Sequence, residues 1–436
     1  MSANTNSFLL LTQTKLNEMD GENVSSLYKG IKSEHLPNIN VSTIKHNDNE
    51  YHLIKYKKDT INNDNVLTTG QFRSVIARNG KVLSFAPPKS METSHFIEKY
   101  KDIAKCYAEE FVEGTMINLF YDDTDADDDE YDEKNWVIAT KSNIGATNSF
   151  FTTGHVNVED TFSYMFLDAC KHANLDYKSL PRQYQYSFVL QHPKNRIVLD
   201  IKDPTLYLID VNCIRRDDNL VTRMSLFNEL DKTKVKHPTK YEFEHLSEFV
   251  KEWKNTVHDE FEHLSEFVKE WKNTVHDYTT MGVVIYCKYG YGHRNRTKLR
   301  NPNYEYAKVL RGNQPKLEFR FIELWQEKRV QEYLSYFPEC KMLFDTYWTK
   351  LSKFMDATFN NYVDCYMLKR QALKEYPFEY RNHMYALHTI YKEQLRSKNS
   401  VVTIPIAVEY FRALPAAKLM FSLNYNMRPK SDDVSV

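Results

Sequence analysis

Between residues 286 and 320 the chain carries nine basic side chains: Lys288, Arg294, Arg296, Lys298, Arg300, Lys308, Arg311, Lys316 and Arg320. Only Glu305 and Glu318 oppose them, and Tyr286, Tyr289, Tyr291, Tyr304 and Tyr306 are interleaved. Lysine and arginine neutralise phosphates and release their counterions, while tyrosine rings stack on unpaired bases. The segment is expected to form a nucleic-acid surface, with Arg294, Arg296, Lys308 and Arg311 among its contacts. The alternative is a solvated hairpin and helix whose charges only keep it soluble. Gly290-Tyr-Gly292 is too short for a dinucleotide fingerprint and reads as a hairpin turn. The opposite charge gathers in 122–133, DDTDADDDEYDE, which holds nine acids and no base. That run lacks the ligand spacing and turn glycine of a calcium loop, so it reads as a swollen hairpin tip and no metal site is expected.

These groups need elements to position them. Tyr51-His-Leu-Ile-Lys-Tyr reads as an early strand. Residues 72–90, FRSVIARNGKVLSFAPPKS, read as a hairpin: Arg73 to Ala77 alternates, Asn79-Gly80 supplies a positive-φ turn, and Val82 to Phe85 returns. Residues 91–108 look helical. Residues 111–121 and 135–141 pair around the acidic tip, and 159–178 form an amphipathic helix through Phe162, Met165, Phe166, Ala169 and Ala173. Residues 186–190, 206–211 and 281–288 are apolar strands. From 321 to 428 the pattern is helical, interrupted at Pro338, Pro377 and Pro405, with Trp325, Tyr333, Phe337, Phe344, Tyr347 and Trp348 at core spacing. The expected fold class is α+β followed by an all-α C-terminal domain, with the boundary between residues 318 and 319.

With 436 residues, 42% of them hydrophobic, the chain can bury cores in two or three domains. The formal net charge of −1 provides no global field, so any attraction for polyanions must be local. Six scattered cysteines with no Cys-x-x-Cys pair fit free thiols in a reducing compartment. No apolar run reaches membrane-spanning length, and a cytoplasmic location is expected. EFEHLSEFVKEWKNTVHD occurs at 242–259 and again, identically, at 260–277. Eighteen residues make about five helical turns, so the second copy continues the apolar stripe on the same face. This tandem helix is either a long docking element or a phase-preserving slippage duplication.

Several segments resemble one family in order. FRSVIARNGKVLSFAPPKSM, EEFVEGTMINLF, WVIATKSNIGA, QYSFVLQHPKNRIV with LYLIDV, MGVVIY and RTKLRNPNY are similar to successive motifs of the phage-type, tRNA-repair RNA ligases. The resemblance covers roughly residues 50–310, and the EGTMIN and RNPNYEY strings are also similar to unassigned proteins of large DNA viruses. It implies an RNA ligase-like nucleotidyltransferase domain of antiparallel sheets flanked by helices, over 1–318. Phe111 falls where that family carries its nucleophilic lysine, with Glu113 at the aspartate and Gly114 kept. An amine can attack the α-phosphate of ATP; a phenyl ring cannot. Ser187 and Met281 fall where two carboxylates belong. Arg73, Glu113, Gly114, Lys141, Lys298 and Arg300 would form the nucleotide- and phosphate-binding site, with the four cations on the sugar and phosphates. The resemblance therefore implies a degenerate adenylation site that keeps affinity for ATP or RNA ends, single-stranded or tRNA-like. Two alternatives stay open. One is an active ligase with a displaced nucleophile, for which Lys89 is the candidate and magnesium would be needed. The other is a structural or interaction protein of a large DNA virus, located in the host cytoplasm or the virion.

Overall fold

The computed structural model describes residues 38–67, 69–100, 106–124, 131–150, 157–216, 221–224, 230–242, 277–289 and 293–427. The tandem helix and most of the acidic tip lie outside the described residues. Thirteen strands are described: β1 (Ile39–His46), β2 (Asn49–Tyr56), β3 (Val75–Arg78), β4 (Lys81–Phe85), β5 (Cys106–Glu110), β6 (Thr115–Tyr121), β7 (Trp136–Thr140), β8 (Tyr184–Gln191), β9 (Thr205–Ile214), β10 (Val221–Arg223), β11 (Lys240–Glu242), β12 (Gly282–Tyr289) and β13 (His293–Arg300). They form three sheets, ordered β1-β2-β3-β4, β10-β9-β8-β6-β7 and β11-β5-β12-β13, and the named strands pair antiparallel throughout. The described residues divide into two compact units between Lys308 and Val309, where the sequence placed the boundary between 318 and 319. The protein is α+β, with its sheets in the N-terminal unit and helices throughout the C-terminal one.

The hairpin of β3 and β4 turns on Asn79 (φ 47°) and Gly80 (φ 78°), the paired positive dihedrals that an Asn-Gly loop adopts. The central sheet packs Ile117, Leu119, Phe188, Leu190, Leu206 and Leu208 against Met165, Phe166 and Ala169 of the helix Phe162–His172. That helix is shorter than the 159–178 expected. Thr161 caps its start by accepting from the Tyr164 amide, and Asn174 (φ 52°) turns the chain away just beyond its end. The third sheet buries Cys106, Ala108, Val283, Ile285 and Leu299 against Phe96 of the helix Thr93–Lys99. The expectation of helix through residue 108 is corrected here. Cys106–Glu110 is strand β5, held between β11 and β12 by long-range pairing that outweighs local propensity.

Glycine 114 opens β6 at φ 150°, where a Cβ would lie 2.4 Å from the Leu190 carbonyl oxygen and 2.6 Å from Val189. Its small size lets β6 lie against β8. In the C-terminal unit, Phe321, Trp325, Tyr333, Phe337 and Phe344 are buried core as expected, while Trp348 is 47% exposed. Pro405 does not interrupt a helix but sits in the first turn of Ile404–Arg412, where a missing amide donor costs nothing. His383 is buried between Tyr410 Oη (2.8 Å) and Ser422 Oγ (2.9 Å), and burial pushes its pKa down to about 4.

Candidate phosphate-binding site

Strand β13 reads His-Arg-Asn-Arg-Thr-Lys-Leu-Arg, and strand periodicity puts Arg294, Arg296, Lys298 and Arg300 on one face. The intervening Thr297 and Leu299 face the other way, into the core beside Met91. Across the ladder, Tyr286 lies opposite Arg296 and Val284 opposite Lys298. Tyr107, Val284, Tyr286 and Phe111 form an apolar patch on this same side. Phe111 follows β5 and is fixed by its amide, which donates to the Gly282 carbonyl at 3.0 Å. The Lys298 ammonium nitrogen lies 4.0 Å from the Phe111 ring centroid, and the Arg300 guanidinium lies 5.8 Å from it.

Two other segments add cations, Arg73 within electrostatic range of Lys298 and Lys141 within range of Arg73. Arg73, just before β3, donates to the Pro87 carbonyl at 3.3 Å, and burial followed by repulsion from Arg296 pushes its pKa down to about 10. Lys141, just after β7, lies 5.6 Å over the Tyr56 ring; its pKa is lowered by burial, then by Arg73, Lys55 and Lys89. Lys298 bears the strongest effect. Burial first, then Arg296, Arg73, Arg300 and Lys89, push its pKa down to about 5. A group of cations with no carboxylate among these causes disfavours its own charging, and an arriving polyanion relieves that repulsion.

Arg296 is 8% exposed. One end of its guanidinium donates to the Pro88 carbonyl, but its Nε is buried with no hydrogen-bond partner among the described residues. An unmade hydrogen bond to a buried charged donor is costly. Arg300 is partly occupied, donating to Glu305 at 2.7 Å. Lys89 is exposed in the turn after β4 and contributes charge to both Lys298 and Lys141.

The remaining residues singled out in the sequence have different placements. Arg294, expected on a nucleic-acid surface, is instead tied inside the protein. Its Nη1 donates to Tyr107 Oη (2.7 Å) and Glu109 (3.0 Å), its Nη2 donates to Asp210 (3.0 Å), and its guanidinium stacks 3.7 Å over Tyr286. Burial acts to lower its pKa, but Tyr286, Asp210, Glu109 and Tyr107 together raise it. Lys308 is half-buried near Glu305, and Arg311 is buried and belongs to the C-terminal unit. Glu113 is 3% exposed, and its carboxylate accepts from the Val198 and Leu199 amides at 3.1 Å each. That fixes the loop after β8. Ser187 is wholly buried in an uncharged chain: Gln185 donates to Ser187, Ser187 to Asn118, and Asn212 to Gln185, at 2.9–3.0 Å. Asp122, first of the acidic run, is not at a solvated tip. It is buried, accepting from Tyr51 Oη at 2.7 Å and from Arg78 at 3.2 Å. The sequence reading missed Lys55 and Tyr56, and placed Arg296 on a surface. The alternation of cations at 294, 296, 298 and 300 is the signal that would have put Arg296 beside Lys298.

No family model matches this chain, and none of the curated proteins matches it. Among solved structures it is similar to an archaeal ATP-dependent RNA ligase, form 1, with 12% identity over 74% of this chain and 72% of that one and a TM-score of 0.34. No helix among the described residues is long and apolar enough to cross a membrane, and no cluster of three or more metal-ligating side chains occurs among them.

Proposed function

We propose that this chain binds the phosphates of a nucleotide or of an RNA end through Arg73, Lys141, Arg296, Lys298 and Arg300. The observation that carries the reading is the row of Arg296, Lys298 and Arg300 on one face of β13, with Lys298 held largely uncharged by burial and then by its cationic neighbours. Such a cluster is unfavourable when empty and becomes favourable when a polyanion fills it. Phe111 stands where the sequence resemblance expects the adenylated lysine, so ATP would be held there without a covalent bond to that position. The ring instead offers a face to Lys298 and Arg300.

The test is fluorescence anisotropy with a labelled, 5′-phosphorylated single-stranded RNA, repeated with ATP as competitor. Affinity is expected to fall steeply with salt and to weaken on Arg73→Ala and Arg300→Ala. Affinity that ignores both salt and these substitutions would overturn the assignment.

A further inference from the structure

The Lys298 amine has a chemical capacity that phosphate binding alone does not use. It lies against the Phe111 ring, half-buried, and is faced by Arg296 and Arg300 from its own strand, by Arg73 from the segment before β3 and by Lys89 from the turn after β4. Glu305, the nearby carboxylate on the helix Pro302–Arg311, donates its charge to Arg300 and Lys308 rather than to Lys298. Resting on the phosphate-binding reading, we propose that Lys298 forms an imine with the aldehyde of a nucleic-acid end whose sugar has been opened or oxidised, while Arg73, Arg296 and Arg300 hold the adjoining phosphate.

The step balances without a metal or leaving anion. The amine lone pair adds to the aldehyde carbon, the nitrogen gives up its two protons, and the carbonyl oxygen takes up two and departs as water. The carbon–oxygen double bond is replaced by a carbon–nitrogen one, and nothing is oxidised or reduced. Lysines next to other cations or in apolar surroundings do this chemistry because the neutral amine is the nucleophile. With an unperturbed pKa of 10.5 a lysine is about 0.03% neutral at pH 7. A value near 5 makes Lys298 almost wholly neutral there, and bound phosphate brings it part of the way back.

The experiment is borohydride trapping on the full chain. A labelled RNA oligonucleotide is oxidised at its 3′ end with periodate to a dialdehyde, incubated with the protein near pH 7, reduced and mapped by peptide mass spectrometry. A periodate-oxidised mononucleotide serves as the second arm. The expected result is one dominant secondary-amine adduct, on Lys298, exceeding that on any other lysine by at least about tenfold. Lys298→Arg has no primary amine to condense at that position and is expected to lose the adduct. Labelling only by the mononucleotide would overturn the nucleic-acid end as the substrate. Adducts spread over exposed lysines, or none at all while unoxidised RNA binds normally, would overturn the imine. Absence of binding by unoxidised RNA would instead remove the phosphate-binding reading on which the proposal rests.

Discussion

Polyanion binding should take up a proton, because the free site holds Lys298 largely neutral and the occupied site favours its ammonium form. The free value is about 5, set by burial and by Arg296, Arg73, Arg300 and Lys89. Phosphate charge beside these groups cancels the repulsion, so the bound value is higher. Between the two values each unit of pH changes the binding free energy by up to about 1.4 kcal/mol, or tenfold in affinity. Affinity therefore falls as pH rises from about 6, until the pKa of the bound state is passed. Isothermal titration calorimetry with ATP at pH 7, in buffers of different ionisation enthalpy, should report uptake approaching one proton per site. Lys298→Arg should abolish both the uptake and most of the pH slope, because arginine stays charged throughout. Zero uptake in the native protein, with affinity flat from pH 6 to 8, would mean that Lys298 does not change its protonation on binding.

The same shift has a sign for stability. The folded pKa of Lys298 lies below its unfolded value, so between about pH 5 and 10.5 the unfolded chain holds the extra proton and native stability rises with pH through this group. Lys298→Met should accordingly raise the melting temperature at pH 6 more than at pH 10, as thermal denaturation would show. Replacing Arg73 by Ala should remove one phosphate contact and lower the slope of log affinity against log salt by about 0.7 for single-stranded RNA. Arg294→Met should destabilise by about 3–5 kcal/mol, because Glu109 and Asp210 lose the cation between them, yet leave that slope nearly unchanged. Gly114→Ala should cost about 2–4 kcal/mol in chemical denaturation, since its methyl group meets the Leu190 carbonyl and Val189.

What could be read from the sequence follows the range of the forces involved. Asn79-Gly80 determines its hairpin through two dihedrals, and the apolar strands at 186–190 and 206–211 were visible from composition alone. Strand β5 was not, because the pairing that extends Cys106–Glu110 comes from residues 240–242 and 282–289, far along the chain. The site divides in the same way. The structure brings Arg73 and Arg300 into electrostatic range of Lys298, and Lys141 into range of Arg73, with Phe111 beneath Lys298 and Arg300. Arg294 looked equally available in the sequence. Its charge is taken up by Glu109 and Asp210, one on β5 and one on β9, and no local pattern announces that encounter. Glu113 likewise read as a ligand group, but its oxygens meet two backbone amides, a use that side-chain identity does not reveal.

Whether cations around Phe111 await phosphate can be read from the Lys298 side-chain nitrogen by NMR, in protein carrying ¹⁵N-labelled lysine and with Lys298→Arg to assign the signal. The free protein should show this one amine titrating near 5, and saturating triphosphate should move its midpoint upward by more than a unit. A midpoint near that of the exposed lysines, unmoved by triphosphate, would contradict the account.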